Sequence, residues 1–580
     1  MRHLRTTVLL SLLLACTGDK SGGEGTAEGG EDTSASGPDS GGDGGDEGPF
    51  SVDCPGSAGC ESNEGPLMAG AAVRDVTPCF EQWVDVDEDD EYRRSTDEFL
   101  DCGCDHLCPG DDGYTAPDEG EGDGTFQATW LAGFGQGRPG NSVNDPIEAR
   151  AVVIASGDTS VALVTLDVVG WFYDDAVAVR EAAAAAGAEV DLIVVHATHN
   201  HEAPDTMGQW GESFGRRGVD EAHRLQIISD AGAAVAEAAA SLQEVELVIG
   251  SADSAAPFGS KGTRNTVRDS RDPVVIDEQV GAAALVASDG STVATLINWG
   301  NHPEVLSSDN TALTADFVHY LRTSVEDGLD YDSRTQAGRG GTAVFINAAV
   351  GGLMTPLGIT VTDWDGVDHG SSDFSKARAL GDLIGGLALD ALEAGTTATE
   401  PRVSVRAREF NVPVENIAFQ ALFLAGIFDR HIFNYDDTQP LSDTNVPEVR
   451  TEMDLVEIGP LRMLTVPGEL TPELAIGGYD GSRVNTDEDV FIDEGNDNPP
   501  DVASAPPGPY LKDEMGAEHN WIIGLGNDEV GYLVPPYDYV LDERLPYINE
   551  APGDHYEETN SIGPSVVPLV LETATLLIEG

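Results

Sequence analysis

The chain has 580 residues, and 103 Asp and Glu against 30 Lys and Arg give it a formal net charge of −73 at pH 7. So acidic a surface repels nucleic acid and anionic bilayers, and neither is expected as a partner. The surplus acid reads either as a solvated surface suited to high salt, where screening relieves self-repulsion, or as divalent-cation binding in acidic insertions.

Residues 1–16 read as an export signal: Arg2 and Arg5 give the positive start, residues 8–14 the apolar stretch, and Leu13-Leu14-Ala15-Cys16 the cleavage site. A small residue followed by Cys at that place resembles a bacterial lipobox. That implies cleavage before Cys16, acylation of its thiol and anchoring in a membrane, with Thr17 at the next position favouring the outer membrane. The alternative is an ordinary secretory signal in which Cys16 is incidental. Residues 17–65 are Gly, Ser, Asp and Glu with few apolar positions, a composition that reads as a disordered acidic tether. The functional part is then expected in residues 66–580, long enough for a large core.

Six further cysteines, Cys54, Cys60, Cys79, Cys102, Cys104 and Cys108, lie in the first fifth of the chain. An even number in an exported protein reads as a disulfide framework of undetermined pairing, although Cys102, Cys104 and Cys108 beside His106 could instead hold zinc. Residues 79–127, which contain four of them, form an acidic insertion. Its Asp85-x-Asp87-x-Asp89 and residues 118–123 suggest a calcium site, without a complete EF-hand loop.

From Asp145 onward, β-branched runs alternate with Ala-rich helical runs. Residues 151–155 and 161–166 read as paired strands turned at Gly157-Asp158, 174–186 as a helix, and 190–195 as a buried strand. A long helix over 219–242, strands at 245–250 and 293–299, a helix at 315–326, a strand at 343–347 and a helix at 375–393 follow. Residues 403–410, 455–458 and 462–466 read as strands, and 482–510, rich in Asp, Asn and Pro, as a long surface loop. The alternation indicates an α/β fold, mixed β-sheets flanked by helices, in which strand ends deliver side chains into a cleft.

Four groups at or near such ends carry chemistry. They are Thr198-His199-Asn200-His201, Asn301-His302-Pro303, Val466-Pro467-Gly468-Glu469 and Gly531-Tyr532. Residues i and i+2 of an extended segment share a face, so His199 and His201 can reach one cleft. Two imidazoles, a carboxylate and a phenol make an open hydrolytic zinc site.

Taken in order, these groups resemble the neutral/alkaline non-lysosomal ceramidase family. The resemblance begins at Ala69-Gly-Ala-Ala-Val-Arg-Asp-Val-Thr-Pro78 and continues through Leu131-Ala-Gly-Phe-Gly-Gln-Gly-Arg138 and Asp145-Pro-Ile-Glu-Ala-Arg-Ala151. It then takes in the His pair, Asn301-His302-Pro303, Val466-Pro-Gly-Glu469, the segment 524–532, Tyr556-Glu557 and Gly563-Pro564. It implies a zinc-dependent hydrolase cleaving the amide of an N-acyl lipid such as ceramide with metal-activated water. His199, His302, Glu469 and Tyr532 would be the metal ligands and His201 a proton shuttle or donor to the substrate. Arg264 would face the substrate oxyanion, and Asp316 would either support a ligand or start a helix. The chain departs from the family at Gly351-Gly-Leu-Met-Thr355-Pro356, where Thr355 stands for the family's serine, able to donate a hydrogen bond rather than act as nucleophile. It also ends soon after Pro564, where a C-terminal immunoglobulin-like domain would follow. Two other readings stay open: the same zinc site acting on a different amide or ester, and a non-catalytic surface lipoprotein using the fold to bind a ligand or serve the envelope.

Overall fold

The central strands are apolar at nearly every position because both of their faces are covered. In Glu148–Ser156, Ala149, Ala151 and Val153 enter one core while Val152 and Ile154 enter another. Thr159–Leu166 and Thr342–Asn347 divide in the same way. Burial on both faces produces the continuous apolar runs that mark these strands in the sequence.

A computed structural model describes residues 51–87, 92–442, 444–553 and 555–580. The larger sheet has nine strands. Its order is Thr342–Asn347, Thr292–Trp299, Gln279–Ala287, Gln243–Asp253, Leu67–Asp75, Glu148–Ser156, Thr159–Leu166 and Leu192–Ala197, with Thr396–Thr397 added against Gln243–Asp253. The inner pairs are antiparallel, and each edge strand runs parallel to its neighbour. Helices Tyr173–Ala185, Glu221–Ala240, Phe317–Asp327 and Phe374–Ala394 cover one face. On the other lies a five-stranded sheet in the order Ser51–Cys54, Val403–Pro413, Glu448–Ile458, Leu461–Thr465 and His519–Ile523. Helix Val566–Glu579 closes the far side of that sheet. Asp220 and Asp373 cap their helices by accepting two backbone N–H groups each.

The α/β fold with mixed sheets and flanking helices is therefore the one expected, and each strand and helix expected over 151–466 is present with shifted ends. Among the elements not foreseen are strand Gln279–Ala287, strand His519–Ile523, helix Ile417–Leu424 and helix Val566–Glu579. Residues 51–65, expected as the end of the tether, are part of the fold. Ser51–Cys54 pairs with Val403–Pro413, and Asn63 Nδ2 donates to Val403 O at 3.0 Å. Cys16, the rest of the tether and Asp89 lie outside the described residues.

The six cysteines pair as Cys54–Cys60, Cys79–Cys104 and Cys102–Cys108. This removes the thiolate zinc alternative, and His106 instead sets Nε2 2.8 Å from Phe80 O. In the acidic insertion, Asp85, Asp87 and Asp97 bring carboxylate oxygens within 4.8 Å of one another. The Asp97 carboxylate already accepts the Val86 and Arg93 N–H groups at 3.0 and 2.6 Å. Among the described residues no helix is long and apolar enough to cross a membrane.

Candidate metal centre

The larger sheet curls until its two edges meet, as strongly twisted sheets of this size do. Asn347, the last residue of one edge strand, donates from Nδ2 to Thr198 O, just past the end of the other, at 2.9 Å. The same nitrogen donates to Asn301 O at 2.9 Å, and Asn347 Oδ1 accepts Asn301 N–H at 3.2 Å. One buried amide thus ties together the two loops that carry the histidines. His201 N–H adds a direct bond between those loops, to Pro303 O at 3.0 Å.

His199 has a left-handed backbone, φ 67°, uncommon for any residue but glycine. Its neighbours hold it there. Thr198 N–H donates to Leu166 O at 2.9 Å, Asn200 N–H to Val168 O at 3.0 Å, and Asn200 Nδ2 to Thr314 O at 2.8 Å. The ring then places Nδ1 2.6 Å from Val169 O. His302 repeats this, with Nδ1 2.7 Å from Met354 O. A carbonyl partner requires Nδ1–H, so either ring, when it carries no second proton, turns an Nε2 lone pair toward the centre.

The Nε2 atoms converge on one carboxylate. Glu469 Oε2 lies 3.3 Å from His199 Nε2 and 3.1 Å from His302 Nε2, and His201 Nε2 is 3.4 Å from His199 Nε2. The ligand atoms of His199, His201 and His302 lie within 4.8 Å of one another, close enough for all three to hold a metal ion. Glu469 pairs in a short parallel ladder with Tyr532, whose ring stands 6.0 Å from that of Tyr556. The structure therefore gathers His199, His201, His302 and Glu469, with Tyr532 alongside Glu469.

Without an ion, these groups bind a proton. Burial alone would depress His199, but the Glu469 carboxylate and then Glu529 outweigh it and raise the ring to about 9. Burial likewise opposes ionisation of Glu469, yet His199 and His302 hold it well below the usual carboxylate range. His201 goes the other way, pushed down to about 4 by burial despite Glu304 nearby. Burial and then Glu469 push the Tyr532 phenol up.

Around this centre are groups the sequence did not single out. Glu304 Oε2 lies 3.3 Å from His201 Nδ1, near enough to pair with it though off the line of a hydrogen bond. Glu304 Oε1 accepts the Thr355 hydroxyl, and Thr355 Oγ1 accepts Leu357 N–H at 3.0 Å. Thr355 thus holds Glu304. Glu529 is buried, with Oε1 accepting Gly531 N–H at 2.9 Å and Oε2 without a hydrogen-bond partner among the described residues. Glu304 follows His302 at i+2 and Glu529 lies within the segment 524–532, which were the available signals; Asn347 gave none.

Arg264 has another engagement, and Asp316 takes the second of its two expected roles. Arg264 pairs with Asp489 and, at 3.0 Å, with Glu488, fastening the long loop at 482–510. Asp316 caps helix Phe317–Asp327 by accepting Phe317 N–H at 2.6 Å, and it also accepts Leu306 N–H at 3.3 Å.

No protein-family model matches the chain, and no curated protein matches it in sequence. Solved structures do match its fold. The crystal structure of neutral ceramidase from Pseudomonas aeruginosa is similar with a TM-score of 0.54 at 13% identity, over 89% of this chain and 75% of that one. A ceramidase complexed with C2 is similar with a TM-score of 0.55 at 14% identity, over 89% and 76%. At these identities the likeness speaks for architecture, and in architecture the chain has the neutral ceramidase fold.

Proposed function

We propose that this protein is a zinc-dependent amidohydrolase that cleaves the amide of an N-acyl lipid of the ceramide kind. The observation that carries the reading is the pair of Nδ1–carbonyl bonds, which commits His199 and His302 to presenting Nε2 to the same point as Glu469. This donor set, two neutral imidazoles and a carboxylate with Tyr532 beside it, fits zinc better than calcium or magnesium, which prefer all-oxygen shells. The ligands are then His199, His302, Glu469 and Tyr532. When bound, the ion supplies a Lewis acid and a water whose pKa is lowered to roughly 7.

The chain's own residues supply the proton path. His201 presents Nε2 to the centre and Nδ1 to Glu304. Buried and neutral, it can take a proton from the attacking water and return it to the leaving nitrogen, while Glu304, steadied by Thr355, stabilises the charged ring in between. Arg264, spent on Glu488 and Asp489, is left out of the chemistry. Export with acylation at Cys16 belongs to the same reading, because it keeps the enzyme at a lipid surface.

The test is metal content together with hydrolysis across a panel of N-acyl chain lengths. About one zinc per chain, lost with activity in His199→Ala, and turnover that rises with acyl length support the reading. Zinc indifferent to His199→Ala undoes the ligand assignment. Turnover indifferent to acyl length moves the substrate to another amide or ester, and a protein without metal or turnover is a binding protein.

A further inference from the structure

Residues 417–428 read Ile-Ala-Phe-Gln-Ala-Leu-Phe-Leu-Ala-Gly-Ile-Phe, without a charge, in a chain where 23% of residues are charged. They form helix Ile417–Leu424 and the turn after it. The inward face is Gln420 and Phe423, and the Phe428 ring packs 5.2 Å from Phe423, 5.3 Å from Phe419 and 5.7 Å from Phe172. The outward face is also apolar. Ile417, Ala421 and Leu424, at i, i+4 and i+7, stand on one side of the helix. Ile417 is 45% exposed and Leu424 48%.

The position of this helix gives its surface a use. The core beneath it also contains Val169, whose carbonyl orients His199, and Leu470 and Leu533, which follow Glu469 and Tyr532. Its cap, Asn416, donates to Thr559 O and Ser561 O at 3.1 and 2.8 Å. Asn560, between them, accepts the Tyr532 N–H, and Tyr556, one turn earlier, is 44% exposed and packs its ring beside that of Tyr532. The exposed apolar face and an exposed phenol ring thus flank the side of the centre on which Tyr532 lies.

Charge decides what covers this face. A second copy would bring another net charge of −73 against the first, and an anionic bilayer would be repelled in the same way. An uncharged lipid surface carries no such penalty and gains from burying Ile and Leu side chains, with the amphipathic Tyr556 at the polar boundary. The described chain also starts on this side. Ser51–Cys54 runs antiparallel to Val403–Pro413 with Ser51 opposite Arg408, so Ser51 is the end that faces Pro413 and helix Ile417–Leu424 beyond it. We propose that Ile417, Ala421 and Leu424, with Tyr556, form a docking surface for an uncharged, zwitterionic lipid bilayer, placing the metal centre against the membrane. The proposal uses the hydrolase reading for its purpose and is tested without it.

The test uses the full chain with Leu424→Cys carrying an environment-sensitive thiol label. Glu393→Cys, on the exposed end of helix Phe374–Ala394, is the comparison, and the labelled wild type corrects for Cys16. With phosphatidylcholine vesicles, emission at position 424 should shift to the blue and be quenched by spin-labelled lipid, while position 393 stays water-like. Ile417→Asp with Leu424→Asp should weaken vesicle partition on the order of tenfold per side chain, with metal content and melting temperature unchanged. Water-like emission at 424 on vesicle-bound protein would overturn the proposal in favour of the N-terminal tether alone. A blue shift without lipid that grows with protein concentration, alongside a dimer mass in light scattering, would overturn it in favour of a second copy. Loss of zinc in the wild type would sink the hydrolase reading and leave this result standing.

Discussion

Asn347→Ala should loosen the centre without touching any of its proposed ligands. The side chain makes four hydrogen bonds: to Thr198 O and Asn301 O from Nδ2, and from Asn301 N–H and Ala348 N–H at Oδ1. Ala348 N–H keeps Trp299 O at 3.2 Å, so two carbonyls and one N–H lose their partner. Each orphaned buried group costs about 1–3 kcal/mol, and water entering the vacated space recovers part of it. The sum is about 4 kcal/mol. With an unfolding entropy near 2.1 cal/mol/K per residue over roughly 500 ordered residues, that lowers Tm by about 4 °C. Metal affinity should fall about 10- to 100-fold, as when support behind metal-ligating residues is removed. Calorimetry gives the first quantity and titration with zinc the second. Asn347→Asp sharpens the test. It keeps the shape but sets a carboxylate oxygen against two carbonyl oxygens, which raises its folded pKa above the unfolded value of about 3.9. Stability from such a group is present at low pH and lost as pH rises, so the Asp variant should trail the wild type far more at pH 7 than at pH 5. An Ala variant costing under about 1 kcal/mol, or an Asp variant as stable as the wild type at pH 7, would refute the role given to this amide.

Two further outcomes follow from the centre. Gly133 has φ +91°, and a Cβ there would lie 2.3 Å from His201 Cγ; Gly133→Ala should therefore displace the ring and cut turnover at least about 100-fold, on the scale of a lost general acid–base, while zinc stays bound. Wild-type turnover in that variant would show that His201 does not carry the proton. In the metal-free protein His199, raised to about 9, is protonated at pH 7, so loading zinc on Nε2 should release close to one proton, read by calorimetry in buffers of different ionisation heat. Stability from that raised ring is fully present below its unfolded pKa of about 6.5 and lost as pH climbs toward 9. The apo protein should lose melting temperature over that window while the loaded protein does not, and zinc uptake without proton release would contradict the His199–Glu469 pairing.

What the sequence discloses here follows how local each signal is. Three of the four candidate ligands sit just past an apolar run: His199 after Leu192–Ala197, His302 after Thr292–Trp299 and Glu469 after Leu461–Thr465. That two of those runs lie far apart in one sheet, whose edges must curl together for the rings to meet, is a property of the whole sheet and leaves no mark on either run. Strand Gln279–Ala287 escaped because Gln-Val-Gly-Ala-Ala-Ala-Leu-Val-Ala has helix composition. Strands on both sides override that propensity, and at Gly281 a Cβ would lie 2.4 Å from Trp521 Nε1 of the facing sheet, so the small residues answer close packing. Helix Ile417–Leu424 escaped for the opposite reason, since its single polar residue, Gln420, faces inward and leaves no polar face to give it a period. Arg264 has partners that no motif could show. Its partners Glu488 and Asp489 come from a loop more than 200 positions later, and in a chain this acidic an arginine is more readily drawn to such a loop than left facing a substrate. Thr355 reverses the lesson. A hydroxyl that only has to hold Glu304 in place beside His201 works from serine or threonine alike, so the departure costs the proposed proton path nothing.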